Sequence, residues 1–201
     1  MNIFYSQNVE EALDFIRQHE PPEGYFVGFS GGKDSIVTLD LVRRAGVKHE
    51  AFYSMTLIDP PEVVDFIKKN YPEVTRLRAK MTFWQGILKN GLPYAGRRWC
   101  CRILKKDPAK KIPLKHRIMG QRMEESWQRA AYPRIGYIKT YKTYLYKPIF
   151  LWSSADVWDY IKAENLPYPA LYDEGFTRLG GRLLAVPPQK YNAGISRYGN
   201  G

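Results

Sequence analysis

The stretch Tyr25-Phe26-Val27-Gly28-Phe29-Ser30-Gly31-Gly32-Lys33-Asp34-Ser35-Ile36-Val37 decides the fold. Its first five residues are a short apolar and aromatic run, the pattern of a strand buried on both faces of a parallel sheet. Ile36, Val37, Leu41 and Val42 then recur at helical spacing as far as Gly46, a residue type that stops helices. Between strand and helix lies a glycine turn, Ser30 to Ser35. In open α/β sheets ligands bind there, at the carboxyl ends of the strands. Gly31 and Gly32 let backbone N–H groups approach an anion, and the positive end of the following helix points at the same place. Lys33 adds a point charge, and Ser30 and Ser35 add hydroxyl donors. The spacing is not that of a Walker A loop, which needs four residues between its glycines and then Gly-Lys-Ser/Thr.

Outward from this turn, the first half of the chain alternates between strand and helix periods. Asn8 and Glu11 have the form of a capping box ahead of a helix whose face carries Val9, Leu13 and Ile16. His49 to Met55 is a second strand, and Pro60-Pro61 opens a helix with Val63, Phe66 and Ile67. Val74 to Arg78 is a third strand, and Thr82 to Lys89 a third helix closed by Gly91. Strands separated by helices of this length imply right-handed crossovers and a parallel sheet. The second half is less regular. Ile118-Met119-Gly120 is a further strand ending in a turn, Ile135 to Ile149 a hairpin or extended arm, and Ser153 the cap of a helix bearing Val157, Trp158 and Ile161. Leu166 to Gly181 is expected to be loop. Asp59 and Arg122 both follow strands, so both are expected on the carboxyl edge of the sheet, beside Lys33.

The composition narrows the class. A chain of 201 residues with 44% apolar and 25% charged residues is an ordinary globular mix for one domain. It has no apolar run of about 18 residues that would span a membrane, and its start lacks the pattern of a secretory signal. The two cysteines, Cys100 and Cys101, are adjacent, which excludes a disulfide scaffold and points to a cytoplasmic chain. Lys and Arg total 31 against 20 Asp and Glu, a net charge of +11 that suits a polyanionic partner.

Ser-Gly-Gly-Lys-Asp-Ser resembles the pyrophosphate (PP) loop of the adenine nucleotide alpha-hydrolase superfamily, which includes ATP pyrophosphatases and sulfonucleotide reductases. Further segments are similar to the phosphoadenosine phosphosulfate (PAPS) reductase branch: Asp59-Pro60-Pro61-Glu62, the tandem-cysteine segment from Arg98 to Lys105, and Gly120-Gln121-Arg122-Met123-Glu124-Glu125-Ser126. Pro148-Ile149, Trp152, Asp156-Val157-Trp158 and Leu171 to Phe176 continue the series in order. The resemblance implies an open, mostly parallel, doubly wound Rossmann-like α/β sheet. It also implies an adenine nucleotide held by Ser30, Gly31, Gly32, Lys33, Asp34, Ser35, Asp59 and Arg122, with Arg122 a phosphate or sulfate ligand. One nucleotide-binding domain is expected over residues 1–181. An irregular tail follows over 182–201, for which truncation or a shifted reading frame near Gly181 is one account.

The chain departs from the family at its cysteines. Iron–sulfur members add a later Cys-x-x-Cys, and reductases use a cysteine near the C-terminus to attack sulfur. Here Gly175 to Gly180 keeps the preceding motif, but no cysteine follows Cys101. A [4Fe–4S] cluster takes four thiolates, so none is expected in the monomer, and Cys100 and Cys101 are read as an incomplete metal set. Three functions stay open. The first is binding of PAPS or adenylyl sulfate, with a thioredoxin-like electron donor where the chemistry is reductive. The second is an ATP pyrophosphatase using Mg²⁺ that adenylates a substrate in sulfur modification of nucleic acid. The third is a nucleic-acid-binding module resting on Tyr132, Arg134, Tyr137, Lys139, Tyr141, Lys142, Tyr144, Tyr146 and Lys147, where aromatics interleave with cations.

Overall fold

The computed structural model describes residues 3–94 and 96–179. Helix α1 (Ile3–Gln18) precedes β1 (Tyr25–Phe29), α2 (Lys33–Ala45), β2 (His49–Met55), α3 (Pro61–Asn70), β3 (Thr75–Arg78) and α4 (Phe83–Asn90). A π-helical turn (Cys101–Lys106) runs into α5 (Asp107–Lys110), then β4 (His116–Met119), α6 (Trp127–Ala130), β5 (Ile135–Ile138), β6 (Thr143–Tyr146) and α7 (Ser154–Ala163). The expected irregular tail and reading-frame break lie outside the described residues.

The six strands form one sheet in the order β3-β2-β1-β4-β6-β5. All neighbours are parallel except β5 and β6, so the sheet is doubly wound with one antiparallel edge. The chain moves outward in one direction from β1 to β3 and in the other from β4. The switch point therefore falls between β1 and β4, where Val27 stands opposite Ile118.

Alternation along β1 divides the core. Tyr25, Val27 and Phe29 face the large cluster with α1, α2, α3 and α7, in which Ile36, Val37, Leu41, Ile67, Ile118 and Ile161 are fully buried. Each such side chain contributes about 1.5–3 kcal/mol by leaving water. Phe26 faces the other way and stacks on Phe52, over Ala109 and Leu114. A third small cluster, Phe83, Trp99 and Leu104, joins α4 to the cysteine segment.

Two expectations need correction. Asn8 does not cap α1: the helix already runs from Ile3, which places Asn8 in its interior. The apolar face Val9-Leu13-Ile16 is as expected, because burial against the sheet rather than the cap holds the helix. The stretch from Ile135 does form a hairpin, but it is no free arm, since β6 pairs in parallel with β4 and extends the main sheet. By contrast, Ser153 caps α7 in a full capping box with Asp156, as its spacing implies.

Gly120, just past β4, allows the close approach that brings the two halves together. A Cβ there would stand 2.5 Å from the carbonyl oxygen of Asp34, in the first turn of α2. Gly120→Ala should therefore destabilise the fold by about 1–3 kcal/mol in urea unfolding. Gly136→Ala in edge strand β5, where a Cβ meets nothing within 4 Å, should change stability by less than about 0.5 kcal/mol or raise it slightly.

Candidate functional site

The turn between β1 and α2 is pinned from within. The Ser35 hydroxyl donates to the Gly32 carbonyl at 2.8 Å and accepts from the Ser30 backbone N–H and the Ser30 hydroxyl, both at 3.2 Å. Gly31 has φ +71, a left-handed conformation costly for other residues, and a Cβ there would press into Ile67 and Val63 of α3. Gly32 occupies the N-cap of α2 without a side-chain cap, so the N-terminal end of the helix is presented by backbone.

The charged groups converge on Asp34. Arg122 Nε donates to Asp34 Oδ1 at 2.6 Å, and Lys33 Nζ stands 3.7 Å from Asp34 Oδ2. Arg122 also binds Glu124, and its side chain is 5% exposed. Burial alone would lower the Arg122 pKa, but Asp34 and Glu124 outweigh it and hold the guanidinium above its ordinary range. The structure thus brings Ser30, Gly31, Gly32, Lys33, Asp34, Ser35 and Arg122 together on the carboxyl edge.

Asp59 lies on the same edge, past the end of β2. Its carboxylate accepts hydrogen bonds from the Tyr53 and Thr56 hydroxyls at 2.8 and 2.7 Å. Burial and then the Asp59 charge push the Tyr53 phenol well above the usual tyrosine range. Asp59 has no cation partner among the described residues and makes no hydrogen bond to the Ser30–Ser35 turn there.

Sequence reasoning assigned no role to the residues that cover Lys33. The Tyr172 hydroxyl accepts the Lys33 backbone N–H at 2.9 Å, and Lys33 Nζ donates to the Thr177 carbonyl at 3.0 Å. Arg178 and Arg129 both pair with Glu125, which itself accepts the Arg122 backbone N–H. Tyr172 packs on Trp158 beside Tyr168. The signal available was the aromatic density of a stretch otherwise expected to be loop.

Cys100 and Cys101 are both partly buried free thiols. Ser54, near the carboxyl end of β2, donates to the Lys105 carbonyl, while Ala109 accepts from Arg117 near the start of β4. The segment therefore descends the sheet, and its cysteine end lies towards the carboxyl edge. The basic residues Arg97 and Arg98 do not make Cys100 a ready thiolate: burial, then the neighbouring Cys101, push its thiol up. Two adjacent thiols are half of a four-thiolate set, and no group of three or more His, Cys, Asp or Glu is placed to hold a metal among the described residues. The residues present do not fit a cluster within one chain.

A doubly wound sheet carrying an anion-suited glycine turn at its switch point defines a nucleotide-binding α/β class. The chain belongs to the phosphoadenosine phosphosulfate reductase domain family, whose model matches residues 24–187. It is 38% identical over 185 residues to an uncharacterized protein of Methanocaldococcus jannaschii, covering 84% of this chain and 38% of that protein. It is 25% identical over 171 residues to adenosine 5'-phosphosulfate reductase 2 of Bacillus subtilis, covering 79% of this chain and 71% of that one. The chain thus spans about two fifths of the length of the archaeal relative. A phosphate complex of the PAPS reductase of Candida auris superposes with a TM-score of 0.70 at 18% identity, covering 92% of this chain and 98% of that chain, a likeness of fold. No helix among the described residues is long and apolar enough to cross a membrane.

Burial raises the Tyr172 phenol to about 12 and the Tyr71 phenol likewise to about 12. Folding thus favours their protonated forms. The stability they contribute is fully present below the unfolded value near 10 and is lost as pH rises towards 12. A difference titration at 295 nm should show Tyr172 as a late-ionising phenol that Tyr172→Phe removes. The same variant should speed hydrogen exchange of the Lys33 amide, because its acceptor is gone.

Proposed function

We propose that this chain binds a phosphorylated adenosine of the sulfonucleotide type, PAPS or adenylyl sulfate. Its phosphates would lie against Ser30, Gly31, Gly32, Lys33, Asp34 and Ser35, with Arg122 beside them and Asp59 on the rim. The observation that carries this reading is the meeting of Lys33, Arg122 and the N-terminal end of α2 at the switch point. Two cations share one carboxylate there, so an entering phosphate or sulfate competes with Asp34 for groups already aimed at one place. Family membership and the named Bacillus subtilis reductase support the same ligand class.

Reductive release of sulfite needs a thiolate to attack the sulfate sulfur, breaking its S–O bond so that the nucleotide phosphate leaves, and a second thiol to form the disulfide as sulfite leaves. The only thiols in these 201 residues are Cys100 and Cys101, and burial works against the Cys100 thiolate. A second reading is adenylation of a substrate by ATP with release of pyrophosphate, and the observation that favours it is the carboxylate of Asp59. Mg²⁺ there is held largely by substrate phosphates with one or two carboxylates. Asp59, without a cation partner among the described residues, fits that part and would hold the ion at the rim, where it would neutralise phosphate charge.

Calorimetric titration with PAPS, adenylyl sulfate, Mg-ATP, AMP and adenosine separates the readings. The sulfonucleotides should bind tightest, and Lys33→Ala should weaken every phosphorylated ligand by about tenfold or more while leaving adenosine within about twofold. Equal loss for adenosine would remove the loop assignment, and preference for Mg-ATP would favour adenylation. The 201-residue polypeptide should release no sulfite from PAPS with thioredoxin. Robust turnover that disappears in a Cys100→Ser, Cys101→Ser variant would instead make the tandem pair catalytic.

A further inference from the structure

The positive charge of the chain is concentrated in two segments. Residues 97–117 and 134–147 together hold thirteen Lys and Arg and one acid, Asp107, which leaves the rest of the chain close to neutral. The fold brings the α5 part of the first beside the β5–β6 turn of the second. The Nζ atoms of Lys106 and Lys110 stand over the ring of Tyr141, 5.6 and 4.8 Å from its centroid. Tyr141 lies in the turn between β5 and β6, and Lys110 ends α5. Lys105, Lys106, Lys111, Lys115, Lys139 and Lys142 are exposed and pair with no described carboxylate, while Lys110 meets only Asp107, at 4.0 Å.

Beneath this surface lies Arg117 of β4, 9% exposed, its guanidinium over Phe26 and donating to the Ala109 carbonyl. It has no ion-pair partner among the described residues, and its Nε and the Thr143 hydroxyl are buried without hydrogen-bond partners. Burial accordingly lowers the Arg117 pKa. A buried cation without a counter-charge is costly, and an anion over the patch would offset that cost.

The patch is not part of the nucleotide site. β4 and β6 run in parallel, so the turn before β6 and the residues leading into β4 lie on the amino edge of the sheet, opposite Ser30–Ser35. A strand the length of β1 separates the edges by about 16 Å. Exposed aromatic rings flank the same turn. Tyr137 and Tyr144, 51% and 42% exposed with centroids 5.0 Å apart, lie on the opposite face of the sheet from α5, beside His116.

We propose that this amino-edge surface, built from α5, the segment leading into β4 and the β5–β6 turn, binds the phosphate backbone of a single-stranded polynucleotide. Several unpaired cations spaced along a surface suit a repeating anion better than one phosphate group, and the Tyr141 ring set among them suits a base better than an acidic peptide. The ligand is separate from the nucleotide on the carboxyl edge, whatever that nucleotide is.

The test is fluorescence anisotropy of a labelled single-stranded RNA of about 20 nucleotides, long enough for several phosphate contacts. The charge-reversal variant Lys106→Glu, Lys110→Glu changes exposed side chains only. It should lose about tenfold or more in affinity, and the slope of log affinity against log salt should fall by about 0.7 per phosphate contact removed. Lys68→Glu, Lys69→Glu on α3 makes the same change in net charge and should cost less than about twofold. Saturating PAPS or Mg-ATP should leave RNA binding unchanged. Equal losses in both variants, no RNA binding by the unmodified chain, displacement of RNA by those nucleotides, or equal affinity for polyglutamate would each overturn the proposal. Neither a failure here nor a success bears on the Lys33 titrations.

Discussion

Arg122 reaches from the turn after β4 to the carboxylate of Asp34, Nε to Oδ1 2.6 Å, in a site where the guanidinium is almost wholly enclosed. That contact ties together two strands far apart in sequence and adjacent in the sheet, at the point where the direction of winding reverses. It depends on Gly120, because any larger residue would hold the β4 turn away from the α2 backbone. The Thr38 hydroxyl donates to the Asp34 carbonyl at 2.7 Å, one turn further along α2. A buried ion pair of this kind contributes little net stability over a well-packed apolar pair, yet losing one partner typically costs about 3–5 kcal/mol. Its effect is to fix position: Lys33, the glycine turn and the β4 exit occupy one place because Asp34 has to satisfy both cations.

The covering segment extends the same logic. Tyr172 and Thr177 hold the backbone and ammonium of Lys33, and Arg178 is tied through Glu125 to the Arg122 turn. The lysine at the centre of the glycine turn is therefore 5% exposed. On the nucleotide reading proposed above, a phosphate reaching it would have to exchange with the Thr177 carbonyl.

Much of the fold is legible in the sequence where an element and its stop signals lie within about 15 residues of each other. β1, α2 with Gly46 and β2 are of this kind, as are α3 behind its prolines and α7 behind Ser153. Period-2 alternation from Ile135 onward revealed strands but not their partner, because the pairing of β6 with β4 joins residues about thirty positions apart. Of the residues in that stretch considered for nucleic acid, Arg134 is taken up by Glu11 and two backbone carbonyls, and Lys147 and Tyr146 are buried. The glycine turn and the edge positions of Asp59 and Arg122 could be read from strand order alone. The contacts of Tyr172 and Thr177 with Lys33 could not, since they span about 140 residues and leave no periodic trace. Nor does composition show that lysines of two segments meet on the amino edge, which only the approach of α5 to the β5–β6 turn creates.

The widened turn at Cys101–Lys106 has a bearing on how this segment varies. A π-helical turn carries one residue more than an α-helical turn between hydrogen-bonded partners. Each residue of an α-helix advances the side chains by about 100° around the axis. Deleting a single residue within the turn would restore regular winding while leaving α5 seated against Arg117. Because the wide turn takes up its extra residue within one revolution, Cys100 would keep its place beside Phe83 and Trp99. One residue gained or lost at this turn is thus absorbed locally, and both the cysteine pair above it and α5 below it keep their facing.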